Sequence, residues 1–218
     1  MRKILFLLMT IISCGISNVM AQELQPMSIY DSGMMNAYLN AAREMSMRIS
    51  QIRQTVEPYR EQQLRYYQEG KYNDAIEICN RVYKQYVYYV RDNRAIYDME
   101  VLAGDCALEI GEYESAIAWY RIVQNAEVDG IGSRLSQVFD AVMDKARDAY
   151  RNRYYSSLWN YLTIAQKTGW ESGELYYYYG VCYENSNDFV SAKKMYKLAK
   201  KKNYLPAITA LQELKNRR

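Results

Sequence analysis

The sequence predicts an all-α protein: a solenoid of about four stacked helical hairpins, with a helix ahead of them and a short cap helix behind. Three observations predict it. One string recurs, as Glu69-Gly70-Lys71-Tyr72-Asn73-Asp74-Ala75, as Ile110-Gly111-Glu112-Tyr113-Glu114-Ser115-Ala116, and more loosely as Ser186-Asn187-Asp188-Phe189-Val190-Ser191-Ala192. Each copy has a turn residue, an aromatic two residues on, and a small residue three beyond that. After each small residue, apolar positions fall at +4 and +7, which is one face of a helix: Cys79 and Val82, Tyr120 and Val123, Tyr196 and Ala199. Finally, the 218 residues include only 10 Gly and 3 Pro, too few for a turn-dense all-β architecture.

The pattern extends upstream of each turn. Gly104 and Ala107 precede Ala116 at the offsets by which Gly180 and Tyr183 precede Ala192, and a fainter copy runs Ala146, Ala149, Tyr155, Leu158, Leu162, Ala165. This arrangement resembles the tetratricopeptide repeat (TPR), a helix-turn-helix unit of about 34 residues. Leu158 to Ala192 spans 34 residues; Ala75 to Ala116 spans 41 and Ala116 to Leu158 spans 42, so two units carry about one or two extra helical turns each. The units fall at 56–89, 97–130, 139–172 and 173–206. The first and third depart from the pattern, with Gln63 where a small residue is expected and Leu158 where alanine is usual. The resemblance implies that the two helices of a unit cross closely at Gly104, Ala146 and Gly180 on the first helix and at Ala75, Ala116 and Ala192 on the second.

The flanks read differently. Arg2 and Lys3 precede an apolar stretch, Ile4 to Ile12, that is too short to span a bilayer, and Val19-Met20-Ala21 suits a signal-peptidase site, giving a signal peptide over 1–21. Ile11-Ile12-Ser13-Cys14-Gly15 also looks like a bacterial lipobox, which would make the protein a lipoprotein anchored at Cys14; an uncleaved segment is the third alternative. The expected location is therefore periplasmic or secreted, or membrane-anchored. Within the N-terminal segment 22–55, Met35, Leu39, Ala42, Met45, Ile49 and Ile52 recur at helical spacing from Gly33 to Arg53. Asp31 or Ser32 is placed to cap that helix and Pro58 to break it. It would serve as a lid over the first repeat or as a dimerisation helix. Residues 207–218 form the cap helix, with Ile208 and Leu211 on one face.

Chemistry is sparse. The chain has no histidine, which removes the commonest general base, the commonest zinc ligand and every Ser-His or Cys-His pair. No phosphate-cradling loop, Cys-x-x-Cys pair, metal-spaced acidic cluster or nucleophile elbow is present, so no enzyme, no metal and no cofactor are expected. Acidic pairs such as Asp98 with Asp105 and Asp140 with Asp144 read as solvated helix charges. Cys79, Cys106 and Cys182 sit at inward positions; Cys79 and Cys106 are the pair best placed for a disulfide, and Cys182 is a buried free thiol. Tyrosine is the compositional oddity, 24 Tyr against 3 Phe. Tyr120, Tyr176, Tyr179, Tyr183 and Tyr196 occupy packing positions, whereas four consecutive tyrosines, Tyr176 to Tyr179, must face every side of a helix. The remainder serve either half-buried packing or a binding surface.

The resemblance also implies a concave face lined by first-helix residues. It comprises Glu57, Arg60, Leu64 and Tyr67; Asp98, Val101, Asp105 and Leu108; Asp140, Met143, Arg147 and Tyr150; and Glu174, Tyr177, Val181 and Glu184. The partner-binding groove is expected at Arg60, Leu64, Tyr67, Val101, Asp105, Leu108, Met143, Arg147, Tyr150, Tyr177, Val181 and Glu184. Family members that hold chaperone tails clamp a terminal carboxylate with Lys, Asn and Arg; here only Arg60 stands near such a role, and Leu64 replaces the Asn. An extended or helical peptide with apolar and basic side chains suits the groove. The expected function is an exported, non-catalytic protein–protein interaction scaffold, with glycan binding through exposed tyrosines as the alternative. Net charge is +3, and removal of residues 1–21 would leave +1, unevenly spread. Residues 193–218 hold nine Lys or Arg against Glu213, and residues 22–192 carry −7. Nucleic acid is therefore not an expected partner; Lys193, Lys194, Lys197, Lys200, Lys201 and Lys202 point instead to a helix-end charge effect or to an anionic glycan or envelope surface.

Overall fold

A computed structural model describes residues 29–88, 94–124 and 128–216. The signal segment, the lipobox and both cleavage alternatives lie outside those residues. Among the described residues there is helix and turn and no strand. Nine α-helices follow in order: α1 Ile29–Gln68, α2 Tyr72–Val82, α3 Tyr97–Glu109, α4 Tyr113–Gln124, α5 Ile131–Arg151, α6 Tyr155–Lys167, α7 Gly173–Asn185, α8 Phe189–Lys201 and α9 Pro206–Asn216. Helix α2 runs on through a wider π-helical turn, Tyr83–Val87. The chain is an all-α solenoid-like array in which consecutive helices pack in pairs.

Two compact units divide it, residues 1–47 and 48–218. In the first, α1 carries the expected stripe, but Leu39 and Ala42 are exposed and only Met35 and Met45 are half-buried. The helix already includes Asp31 and Ser32, since it spans Ile29–Gln68. Pro58 does not end it. A proline removes one hydrogen bond to the carbonyl four residues back, here that of Gln54. Both Gln54 and Pro58 are exposed, so water can satisfy the freed carbonyl, and α1 continues through the expected boundary at 55/56.

In the second unit, four hairpins share one turn. Gly70, Gly111, Arg153 and Asn187 each adopt a left-handed backbone, with φ of 71°, 78°, 60° and 63°. Around each, one N–H reaches back five residues: Lys71 to Tyr66, Glu112 to Ala107, Tyr154 to Ala149 and Asp188 to Tyr183, at 2.8–2.9 Å. That is the closing bond of a Schellman turn. In the first turn of the next helix, the N–H groups of the anchors Ala75, Ala116, Leu158 and Ala192 donate to the carbonyls of Lys71, Glu112, Tyr154 and Asp188. All four anchors are fully buried, Leu158 included. The extra residues before the third unit form the first two turns of α5, which starts at Ile131 rather than 139, and of those before the second unit only 94–96 are among the described residues.

At two of the expected crossings the glycine faces a ring. A Cβ on Gly104 would lie 2.5 Å from Cε1 of Tyr120, and one on Gly180 would lie 2.5 Å from Cδ1 of Tyr196. These glycines seat a tyrosine ring from the second helix. Sixteen residues separate Gly104 from Tyr120 and Gly180 from Tyr196; the same step leads from Ala146 to Leu162 and from Gln63 to Cys79. All eight residues are buried.

The core follows the array. Val56, Ile78, Cys79, Val82 and Met99 form one cluster, with Ile49, Ile52 and Tyr59 packed on it. A larger cluster runs from Ala107 and Ala116 through Leu135, Val142 and Leu158 to Leu175. At the C-terminal end, Tyr196 and Ala199 of α8 meet Ala207 and Leu214 of α9. Leu211 is partly buried there, as expected, whereas Ile208 is exposed. No described helix is long and apolar enough to cross a membrane. The three described cysteines are free and buried, so Cys79 and Cys106 form no disulfide.

Candidate functional site

The first helices of successive hairpins, α1, α3, α5 and α7, are tied by arginine–carboxylate pairs. Arg60 of α1 holds Asp98 of α3 through Nε and, at 3.2 Å, through Nη2. Arg134 of α5 donates to both oxygens of Asp105 of α3 at 2.8 and 3.3 Å. Arg147 of α5 donates to both oxygens of Glu174 of α7 at 3.0 and 3.1 Å. A planar guanidinium matched to a carboxylate fixes orientation as well as charge, so each pair sets the register of one hairpin on the next. Asp98 and Asp105 are therefore bridging groups rather than free helix charges. Arg60 also donates to Glu57 and to the Ala95 carbonyl, which leaves its guanidinium occupied.

These pairs account for several expected groove residues. Arg60, Asp105 and Arg147 bridge hairpins, and Glu184 accepts from the Tyr196 hydroxyl at 2.8 Å. Met143 leaves the groove: it is 1% exposed, because it falls on the arc of α5 that carries Phe139, Val142 and Ala146 into the core. Val101, Leu108, Val181, Tyr67, Tyr150 and Tyr177 are half-buried, and Leu64 is 47% exposed.

One cleft gathers part of the set. It encloses about 880 Å³ between the C-terminal half of α1, helix α3 and the approach to α5. Its walls include Arg60, Leu64, Val101 and Asp105 from the expected groove, with Gln63, Leu102 and Val128. Gln63 is fully buried; its Nε2 donates to the Met99 carbonyl at 2.9 Å, and its Oε1 accepts from no group among the described residues. An amide carbonyl without a donor is costly to bury. This oxygen has no accessible surface, so it is a polar defect behind the cleft wall and not an acceptor open to a ligand. The cleft residues that sequence reasoning missed are Leu102, Val128 and Arg134, which lie outside the counted first-helix offsets.

The other expected residues lie elsewhere along the face. Tyr177 stands in a ring cluster, with centroids 6.3 Å from Tyr150, 5.7 Å from Tyr178, 5.6 Å from Tyr196 and 5.3 Å from Tyr204. The planes are inclined by 38–76°, so the rings pack edge-on or tilted. Tyr178, expected outside the core, is buried and donates to Glu174, while Tyr176 and Tyr183, expected inside it, are half-buried. Helix α7 is covered by α8 on one side and by the preceding hairpin on the other, which absorbs the third of the four tyrosines. Burial first, then the bond to a carboxylate, pushes the hydroxyls of Tyr120 and Tyr196 well above the ordinary value of 10. Burial likewise raises the thiols, to about 11 for Cys106 and about 12 for Cys182. No cluster of metal-ligating residues occurs among the described residues. No protein-family model and no curated protein matches the chain.

Proposed function

We propose that the protein is an exported TPR-type scaffold, without catalytic activity, that holds an extended peptide segment of a protein partner in the cleft between its first two hairpins. The observation that carries this reading is the cleft of about 880 Å³, with apolar walls at Leu64, Val101 and Leu102 and charged groups at Arg60, Asp105 and Arg134. An extended segment has those apolar side chains to rest on and sets its polar groups against the charged rim. The paired arginines make the walls rigid, which lowers the ordering cost of binding. Export rests on the N-terminal sequence, and the repeat identity on the four matched turns and anchors. The absence of catalysis rests on a chain without histidine. The glycan alternative is the weaker one, since tyrosines that pack tilted and half-buried against one another offer no flat platform to a sugar.

The test is selection of a displayed random-peptide library on the mature chain, followed by affinity measurement on Leu64→Arg and Val101→Arg. A charge set into either apolar wall should weaken the selected peptides about tenfold or more. Selected peptides whose affinity neither variant changes would place the binding site outside this cleft.

A further inference from the structure

Helix α8 carries a surface of a different kind. Lys193, Lys194, Lys197, Lys200 and Lys201 project within an arc of about 120° at 100° per residue. The helix contains no acidic residue. None of the five lysines makes an ion pair among the described residues; the next lysine, Lys202, pairs with Glu171 at 3.0 Å. Val190 falls in the middle of that arc and is 76% exposed, and Phe189, at its edge, is 42% exposed. Phe189 and Lys193 border a small recess with Lys215 of α9, which adds a sixth ammonium to this end. Glu213 is the single acid among residues 193–216.

Helix-end electrostatics do not account for the stripe. The macrodipole favours cations in the last turn, which covers Lys200 and Lys201. Lys193 and Lys194 lie nearer the N-terminal end, where the dipole opposes them. The stripe also sets Lys193 four residues from Lys197, and Lys197 four from Lys201, spacings at which like charges repel on a helix. The chain keeps this charge against its own stability, which points to a partner outside the fold.

We infer that the exposed face of α8 docks the protein on an anionic phospholipid surface, with its lysines on the headgroups and Val190 and Phe189 at the acyl boundary. A flat row of ammonium groups matches a bilayer, whose charge is spread over a plane, and each lysine adds to the attraction. Two exposed apolar side chains among the lysines supply the second anchoring element that charge alone lacks. A soluble polyanion would use the lysines and leave Val190 idle. The inference is independent of the peptide cleft, which lies at the opposite end of the hairpin array.

Flotation of the mature protein with vesicles tests it, using phosphatidylcholine containing phosphatidylglycerol against phosphatidylcholine alone. Binding should be confined to the anionic vesicles and fall steeply with salt. The variant K194E/K197E/K201E should lose about a hundredfold or more in partition, and Val190→Ser about threefold. A charge-matched control, K71E/R151E/K167E, reverses exposed cations that are already paired and should retain most of the binding. Circular dichroism of each variant separates lost docking from lost folding. Absence of vesicle binding overturns the inference, as does an equal loss in the control. So does dextran sulfate binding that Val190→Ser leaves intact while vesicle binding is also unchanged, because the surface would then be a general polyanion site.

Discussion

The second and fourth hairpins fill the space between their helices in one way, and the first and third in another. Gly104 and Gly180 leave hollows that the rings of Tyr120 and Tyr196 enter, and each hydroxyl then donates to a carboxylate on the opposing helix, Asp105 or Glu184. The third hairpin places Ala146 against a smaller aliphatic counterpart in register, Leu162. The first inverts the scheme, with the large Gln63 on the first helix and the small Cys79 on the second, all four residues being fully buried. What the array conserves from hairpin to hairpin is therefore the turn and the summed volume of a residue pair, not the identity of either member. Close packing makes that sum the governing quantity, because a core tolerates exchange of volume between neighbours better than a change in the total.

The largest effect that would sharpen this comparison is overfilling a hollow. Gly180→Val should cost about 3 kcal/mol in urea denaturation, since the ring of Tyr196 cannot leave without exposing its hydroxyl partner, whereas Ala146→Val should cost about 1 kcal/mol. The double variant G180A/Y196L transplants the third hairpin's solution into the fourth and should recover much of the loss. Equal costs at Gly180 and Ala146 would break the comparison. Alkaline titration comes next, since it acts on both tyrosine hairpins at once. An unfolded tyrosine releases its proton near 10 while the buried hydroxyls retain theirs, so above that pH the unfolded chain binds fewer protons. Stability should hold below pH 10 and fall as pH climbs past it, and Tyr120→Phe with Tyr196→Phe should flatten the decline, as followed by tyrosinate absorbance and helicity together. The smallest effect belongs to the first hairpin. Gln63→Leu removes the buried, unpartnered carbonyl at similar volume and should change stability by less than about 1 kcal/mol, because the Met99 carbonyl keeps its intrahelical donor.

The fold was largely legible because its determinants are local. A left-handed residue, an N–H returning five residues and a small buried anchor all lie within a dozen positions, so Gly70 and Gly111 announce their hairpins directly. Even Arg153, which lacks the glycine, is found by spacing from Ala116 to Leu158. The site was less legible because it depends on groups far apart in sequence. Nothing near Arg60 announces Asp98, and nothing near Asp105 announces Arg134, yet those pairs decide which cations are available to a partner. Counting offsets also assumes a standard first helix. Met143 turns inward because α5 buries a wide arc that also holds Phe139, Val142 and Ala146, and Pro58 reads as a stop although its exposed side of α1 makes it harmless.

The three buried thiols have a consequence for watching this array come apart. Cys79 lies in the first hairpin, Cys106 in the second and Cys182 in the fourth, all of them shielded and held protonated. A thiol reagent cannot reach them until the local hairpin swings open, so alkylation kinetics at each sulfur would time the opening of its own segment. The chain thus carries its own reporters of fraying, one near the start, one central and one near the end.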